Sequence, residues 1–269
     1  MKLFEAINRL KAAEVENPTH DAREIFKHIG KMPPTELISR DAECPLPEVE
    51  DAIERRCKRE PLQYIIGEVE FYRETYKVSP DCLIPRQETE LLVDYAVKHL
   101  PEGKSFIDLC TGSGCVAIST LKNTKETRAY AVDISDGALR LAELNSQING
   151  VCGRIDFIKS DVLKDTVEGE FFAVLSNPPY VTEDAYGKLE PEIYFEPKIA
   201  FVGGDSGLVF YEKILDLYEN IIDPRGFFAF EIGYDQGCAL AEISRLREMT
   251  CEIIKDYSGN DRIAVIRKK

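Results

Sequence analysis

Beyond about residue 85 the chain alternates short apolar runs with helical segments, and this alternation constrains its fold more than any other feature. Candidate strands are Ser105–Leu109, Arg128–Val132, Ile155–Ile158, Phe172–Ser176, Phe227–Ile232, Ile253–Tyr257 and Ile263–Arg267, with helical segments expected between the first five. Each run is short and rich in branched or aromatic residues, as a strand in a covered sheet requires. Strands separated by helices predict a mostly parallel sheet covered on both faces. Such sheets place their chemistry at the carboxyl ends of the strands.

Two of those ends carry unusual residues. The first is Asp108-Leu109-Cys110-Thr111-Gly112-Ser113-Gly114-Cys115, which follows the first strand and opens a helix. Glycines there allow a tight turn and let a ligand lie against the main chain. The next strand ends at Asp133, about 20 residues further on, where an acid can bind ribose hydroxyls. A dinucleotide site would carry a third glycine as GxGxxG, but that position is Ala117. An adenosine-bearing ligand without phosphates needs only the close approach and the acid, and S-adenosylmethionine is such a ligand. Ser160-Asp161-Val162, after the third strand, could border an adenine; Asp161 reads equally well as a helix cap.

The second end is Asn177-Pro178-Pro179-Tyr180, directly after Phe171–Ser176. Two prolines restrict φ and remove two backbone donors, so the loop presents carbonyl oxygens. Asn177 adds a side-chain carbonyl and Tyr180 a flat face. Two acceptors and an aromatic ring suit a planar, weakly nucleophilic NH2 group.

Residues 1–72 read as a small helical bundle. Phe4, Ile7, Leu10 and Lys11 keep helical spacing, as do Ala22, Ile25, Phe26 and Ile29 before Gly30. Thr35 opens a short helix, Pro45 and Pro47 mark a loop, and the acidic stretch from Glu48 starts the last helix. Glu68–Val78 has the texture of a β-hairpin. The expected organisation is a helical domain over 1–72, a β-hairpin linker region over 73–84 and an α/β domain over 85–269.

A formal net charge of −14 argues against a generic nucleic-acid binder, which would carry a basic footprint. Eight cysteines without a CxxC pair suit reduced thiols rather than a zinc site or disulfide framework. Glu5 and Arg9 interrupt any leader-like apolar start, and no run approaches the ~20 residues of a membrane span. A cytoplasmic location is expected, with no membrane partner. His20, His28 and His99 are isolated and suggest no metal.

Taken in order, the Asp108–Gly114 loop, Asp133 and Asn177–Tyr180 resemble the class I S-adenosylmethionine-dependent methyltransferases that act on planar nitrogens. Within that group the chain is most similar to the release-factor glutamine methyltransferases. The likeness also includes Pro61–Gly67, Leu83–Glu90, Phe195-Glu196-Pro197, Gly203–Leu208, Glu231-Ile232-Gly233 with Gln236-Gly237, and Asp256–Arg262. It implies a seven-stranded Rossmann-like α/β sheet and an amino-terminal helical domain that grips a release factor. It implies methylation of the side-chain amide of glutamine in a Gly-Gly-Gln tripeptide, supporting translation termination. Cofactor contacts would come from Cys110, Thr111, Gly112, Ser113, Gly114, Asp133, Val162 and Asn177, although some relatives carry an aromatic residue at the Val162 position. Substrate contacts would fall on Asn177, Pro178, Pro179 and Tyr180, with Asn177, Pro178 and Tyr180 in the catalytic roles.

Three other functions compete. An enzyme methylating the exocyclic amine of adenine in DNA or RNA would use nearly the same chemistry on a flipped base, but it would need a basic track. A non-catalytic binding module would be expected to have lost part of the glycine loop, Asp133 or the Asn-Pro-Pro-Tyr loop. A nicotinamide oxidoreductase is disfavoured by the glycine spacing.

Overall fold

The helical spacing of the first 66 residues becomes four helices in the computed structural model, which describes residues 1–39 and 41–269. These are α1 (Leu3–Ala12), α2 (Pro18–His28), α3 (Pro47–Cys57) and α4 (Leu62–Ile66), with a 3-10 turn at Glu36–Ile38. Helix α1 buries Leu3, Ala6 and Leu10, whereas Phe4 is exposed, so its inward stripe is rotated from the expected Phe4, Ile7, Leu10, Lys11 face. The start of α1 is pinned by the Leu3 N–H donating to the Ala42 carbonyl (2.8 Å) beside a Lys2–Glu43 bridge. Pro47 is not in a loop but is the first residue of α3, where a missing N–H costs nothing. Helix α4 follows the one expected to be last.

The chain divides into two units: Met1–Glu68 with Glu190–Glu196, and Val69–Leu189 with Pro197–Lys269. In the first, Arg56 is buried and its Nε donates to Asp21 Oδ2 at 2.7 Å. Arg56 and Arg59 both donate to Glu192, tying the 190–196 segment to α3 and the residues just after it.

The second unit opens with a hairpin of β1 (Glu68–Phe71) and β2 (Glu74–Lys77). Tyr72 and Arg73 form its turn with φ of 50° and 68°, the signs a tight hairpin needs. The strands therefore begin before the expected 73–84 span. The turn lacks the Asn-Gly or Gly-Gly signal that would have marked it; instead Glu90 Oε1 accepts the Tyr72 N–H at 2.8 Å.

The remaining elements are α5 (Glu90–His99), β3 (Ser105–Leu109), α6 (Cys115–Lys122), β4 (Arg128–Asp133), α7 (Asp136–Ile148), β5 (Ile155–Lys159), β6 (Phe171–Ser176), α8 (Glu183–Tyr186), α9 (Val209–Tyr218), β7 (Ile222–Glu231), α10 (Gly237–Leu246), β8 (Met249–Lys255) and β9 (Asp261–Lys268). One seven-stranded sheet runs β5-β4-β3-β6-β7-β9-β8, parallel except for β9, which is antiparallel to β7 and β8. Alternate residues serve opposite faces. Phe106, Ala173 and Phe227 pack with α5 and α6, while Ile107, Val174 and Phe228 pack with α9 and α10.

Two expectations need correction. No helix separates β5 from β6; residues 160–170 form turns, anchored where Asp161 Oδ1 accepts the Leu163 N–H (3.0 Å). The strand expected at Ile253–Tyr257 ends at Lys255, because Asp256 Oδ1 accepts the N–H groups of Ser258 and Asn260 and closes a turn. Tyr257 is accordingly 97% exposed.

Candidate active site

From β3 the chain builds outward through β4 to β5, then returns to place β6 on the other side of β3. The carboxyl ends of β3 and β6 thus flank the point where strand order reverses, and a crevice opens there. The 110–114 loop leaves β3 at this point and the 177–180 loop leaves β6. Ser176 Oγ donates to the Leu109 carbonyl at 2.6 Å, so the two exits are joined.

A cavity of about 480 Å³ occupies the crevice, lined by Cys110, Thr111, Gly112 and Ser113 from one loop and by Asn177 and Pro179 from the other. Asp133, Val162 and Asp161 also reach it. Among the expected site residues Gly114, Pro178 and Tyr180 do not line it. Gly114 instead precedes α6 with φ +81°, and a Cβ there would come within 2.9 Å of Ile118 and 3.0 Å of Ala142. Its lack of a side chain serves helix packing behind the loop. Asn145 on α7 braces the same loop from a fully buried position, donating to the Ser113 carbonyl (2.9 Å) and the Lys77 carbonyl (3.0 Å).

Asp133 Oδ2 accepts the Gly112 N–H and Oδ1 accepts the Ser135 N–H, both at 2.9 Å. Burial pushes its carboxyl up, and these backbone donors oppose the shift. Each oxygen keeps acceptor capacity for a ligand hydroxyl. Asp108 is buried deeper, accepts the Thr111 hydroxyl at 2.6 Å, and is pushed up to about 7 by desolvation. Asp108 carries no signal of its own in the sequence, since nothing in its spacing distinguishes a buried acid from a strand-end turn residue.

The cavity's chemistry separates the possible ligands. Asp81, Asp108, Asp133 and Asp161 line it, and among the described lining residues Arg86 is the cation. A pyrophosphate would meet net negative charge here, whereas a ligand with an adenosine and a positive sulfur centre would meet attraction. Ile134, Val162, Ile199 and Phe210 supply apolar wall for a base and an aliphatic chain.

The Asn-Pro-Pro-Tyr loop is held from behind by a network invisible in its own four residues. Thr89, in the 3-10 turn before α5, donates its hydroxyl to Glu231 Oε2 at 2.5 Å, and Asn177 Nδ2 donates to Thr89 Oγ1 at 3.2 Å. The Tyr180 hydroxyl lies 3.4 Å from Glu231 Oε1. Burial pushes the Glu231 carboxyl up, against the Thr89 hydrogen bond and the nearby Arg262 charge. Burial likewise raises the Tyr180 phenol, with the Glu231 charge adding to it. Gln236 Nε2 donates to the carbonyls of Tyr180 and Gly207, both at 3.2 Å. Val181 N–H donates to Phe201 O (2.8 Å) and Gly203 N–H to Val181 O (2.9 Å), laying the 201–203 segment along the loop. Arg262 pairs with Asp256 and Asp261 with Lys255, so that segment forms loop ion pairs. Glu90 belongs to the hairpin turn described above.

Known proteins match both parts of this architecture. Residues 3–67 match the family model described as the PrmC N-terminal domain, and residues 87–192 the methyltransferase small domain. Two solved structures share the fold at low identity. A ribosomal protein L11 methylase from Lactobacillus delbrueckii subsp. bulgaricus has TM-score 0.53 and 20% identity over 71% of this chain and 84% of its own. A tRNA m1G37 methyltransferase from M. jannaschii has TM-score 0.52 and 18% identity over 75% and 55%. Identity along the whole chain is more specific. The release factor glutamine methyltransferase of Thermodesulfovibrio yellowstonii is 37% identical over 92% of this chain and 92% of its own, and that of Moorella thermoacetica 34% over 97% and 95%. Likeness over both the helical unit and the sheet unit, at these levels, leads to one conclusion: the chain belongs to the release factor glutamine methyltransferase family.

Proposed function

We infer that this chain transfers a methyl group from S-adenosylmethionine to the side-chain amide nitrogen of a release-factor glutamine, within the Gly-Gly-Gln tripeptide that the family resemblance implies. The observation that carries the reading is that Asn177 and Pro179 stand on the wall of the same acid-lined cavity as Asp133 and the 110–113 loop. An acceptor loop and a nucleoside-type pocket are therefore parts of one site.

Asp133 would hold ribose hydroxyls, Val162 would border the adenine, and residues 110–113 would hold the rest of the cofactor. When bound, S-adenosylmethionine supplies an electrophilic methyl group on a sulfonium sulfur. The protein's task is to hold an amide nitrogen whose lone pair is delocalised. Asn177 Oδ1 and the Pro178 carbonyl accept the two amide hydrogens, orienting the nitrogen and stabilising positive charge as it develops there. Pro179 rigidifies the loop, and Tyr180 offers its ring to the amide plane and excludes water. The nitrogen's proton becomes acidic only as charge develops, so no dedicated base is required.

The helical unit, with Ile38 77% and Leu46 41% exposed, is assigned to gripping the release factor. The eight free cysteines suit a reducing cytoplasm, and among the described residues no helix is long and apolar enough to cross a membrane. The acidic chain disfavours an adenine in nucleic acid as substrate. The test supplies labelled S-adenosylmethionine with a release factor, its tripeptide Gln→Ala variant and a DNA duplex. Label is expected on the unaltered release factor alone; label on DNA and not on the release factor would overturn the reading.

A further inference from the structure

Asn177 can clamp an amide NH2 only if its carbonyl end, not its own NH2, is presented to the substrate. The two ends are nearly the same size, so packing cannot choose between them, and only hydrogen bonding can.

We propose that Thr89, held by Glu231, is a positioning residue that sets the direction of the Asn177 amide and thereby makes the site select an amide over a carboxylate. The inference rests on the function proposed above. Its logic is the hydrogen count of one hydroxyl. Thr89 Oγ1 carries a single hydrogen and lies 2.5 Å from Glu231 Oε2 and 3.2 Å from Asn177 Nδ2. Glu231 accepts as the carboxylate, the form that the Thr89 hydroxyl and the nearby Arg262 charge favour against burial, so the hydrogen goes to Glu231. What Thr89 then offers Asn177 is a lone pair, which only the NH2 end can use. Oδ1 is left as the end that the Thr89 bond does not occupy. Thr89 and Glu231 are each about 2% exposed, so water does not compete for the bond between them. Glu231 is itself fixed from its other oxygen by the Tyr180 hydroxyl. One buried carboxylate thus orders two members of the loop.

With two acceptors presented, from Asn177 Oδ1 and the Pro178 carbonyl, a substrate amide is bound by both hydrogens. A glutamate at the same position would set its oxygens against those acceptors. Removing the Thr89 hydroxyl frees the Asn177 amide to turn over, which costs turnover and relaxes the discrimination.

The experiment compares wild type, Thr89→Val and Thr89→Ser for turnover, for affinity of S-adenosylhomocysteine, and for affinity of release factors carrying Gln or Glu in the tripeptide. Thr89→Val keeps the shape and loses the hydroxyl. It is expected to lower kcat about tenfold and to shrink the Gln-over-Glu affinity ratio by a similar factor, the scale of one buried hydrogen bond. Cofactor-product affinity should stay within about twofold, because Asp133 and the 110–113 loop are unchanged. Thr89→Ser should recover most of both losses. A purely structural Thr89 would lower turnover without moving the Gln-over-Glu ratio, and that result would overturn the proposal. An independent readout needs no release factor: in the side-chain amide NMR spectrum, a cross-relaxation peak is expected between the Asn177 Nδ2 hydrogens and the Thr89 methyl in wild type. Absence of that peak would refute the lock even if methylation proceeds, whereas its presence in a protein that fails to methylate the release factor would count against the proposed function alone.

Discussion

Adding a single methyl group at Gly203 should slow the enzyme by pushing on the backbone of Pro179 and Tyr180, with no side chain assigned to the chemistry altered. An ideal Cβ at this position would lie 2.3 Å from the Pro179 carbonyl oxygen and 2.9 Å from Tyr180 Cα. Side-chain Cβ atoms essentially never approach under 3.0 Å, so something must move by at least 3.0 − 2.3 = 0.7 Å. The obstructing atoms are backbone, and both sides are tied by the Val181–Phe201 and Gly203–Val181 hydrogen bonds, so no flexible side chain can swing aside. The strain therefore falls on the substrate-clamping loop. Misplacing a reacting group by roughly 1 Å costs about 10²-fold in rate, and overpacking of this kind costs about 1–3 kcal/mol in stability. Gly203→Ala is thus expected to lower kcat between tenfold and about 10²-fold and to lower the melting temperature, with folding preserved. The assay is steady-state methyl transfer to a release factor, paired with thermal melts. Gly153→Ala serves as the control, because its Cβ meets nothing within 4 Å. If Gly203→Ala kept wild-type kcat, the claim that backbone contact positions this loop would be wrong.

Other perturbations probe separate parts of the site. Asn177→Ala should lose most turnover while S-adenosylhomocysteine affinity in calorimetry falls far less, since Asp133 and the 110–113 loop are intact; a rate near wild type would remove the two-acceptor clamp. For Asp108, raised from 3.8 to about 7, the folded protein keeps a proton that the unfolded chain loses, so this group's contribution makes stability fall as pH rises from about 4 to about 7. A shift of roughly three units sets an upper bound of about 4 kcal/mol. Asp108→Asn should therefore flatten the pH–stability curve across that window, and curves parallel to wild type would contradict it. Cys110 has φ +60°, a conformation costing an L-residue about 1–2 kcal/mol. Denaturant melts should show Cys110→Gly close to wild type and Cys110→Val clearly less stable; equal stability of the two variants would mean that this backbone strain is absent.

Much of the sheet was legible because its signal is local. Short runs of branched and aromatic residues bounded by turn residues mark strands locally, so β3 was marked residue for residue, and β4, β5 and β6 to within one residue at one end. Boundaries failed where side chains compete with the backbone, as at Asp256, or where an ordinary residue takes a turn conformation, as at Tyr72-Arg73. The helix expected between β5 and β6 failed differently: Val162 and Val167 pack on the core from irregular chain, the Val167 N–H donates to the Tyr218 hydroxyl, and Asp161 closes a turn instead.

The sequence by itself determined the alternating architecture, the two strand-end loops and the acid at Asp133, because each depends on residues close together in the chain. Only the tertiary structure decided what stands behind those loops. Thr89, Asn177 and Glu231 lie on three separate segments, 88 and 142 residues apart for the two bonds that Thr89 makes. Gly203 was visible as part of a motif but without a role, since its reason is a carbonyl contributed by Pro179. A hydrogen bond or a close contact between distant residues leaves no periodic trace in sequence. Which end of an asparagine amide is free to act is a property of that packing, and it emerges only when folding has brought the three segments together at the carboxyl ends of β6 and β7.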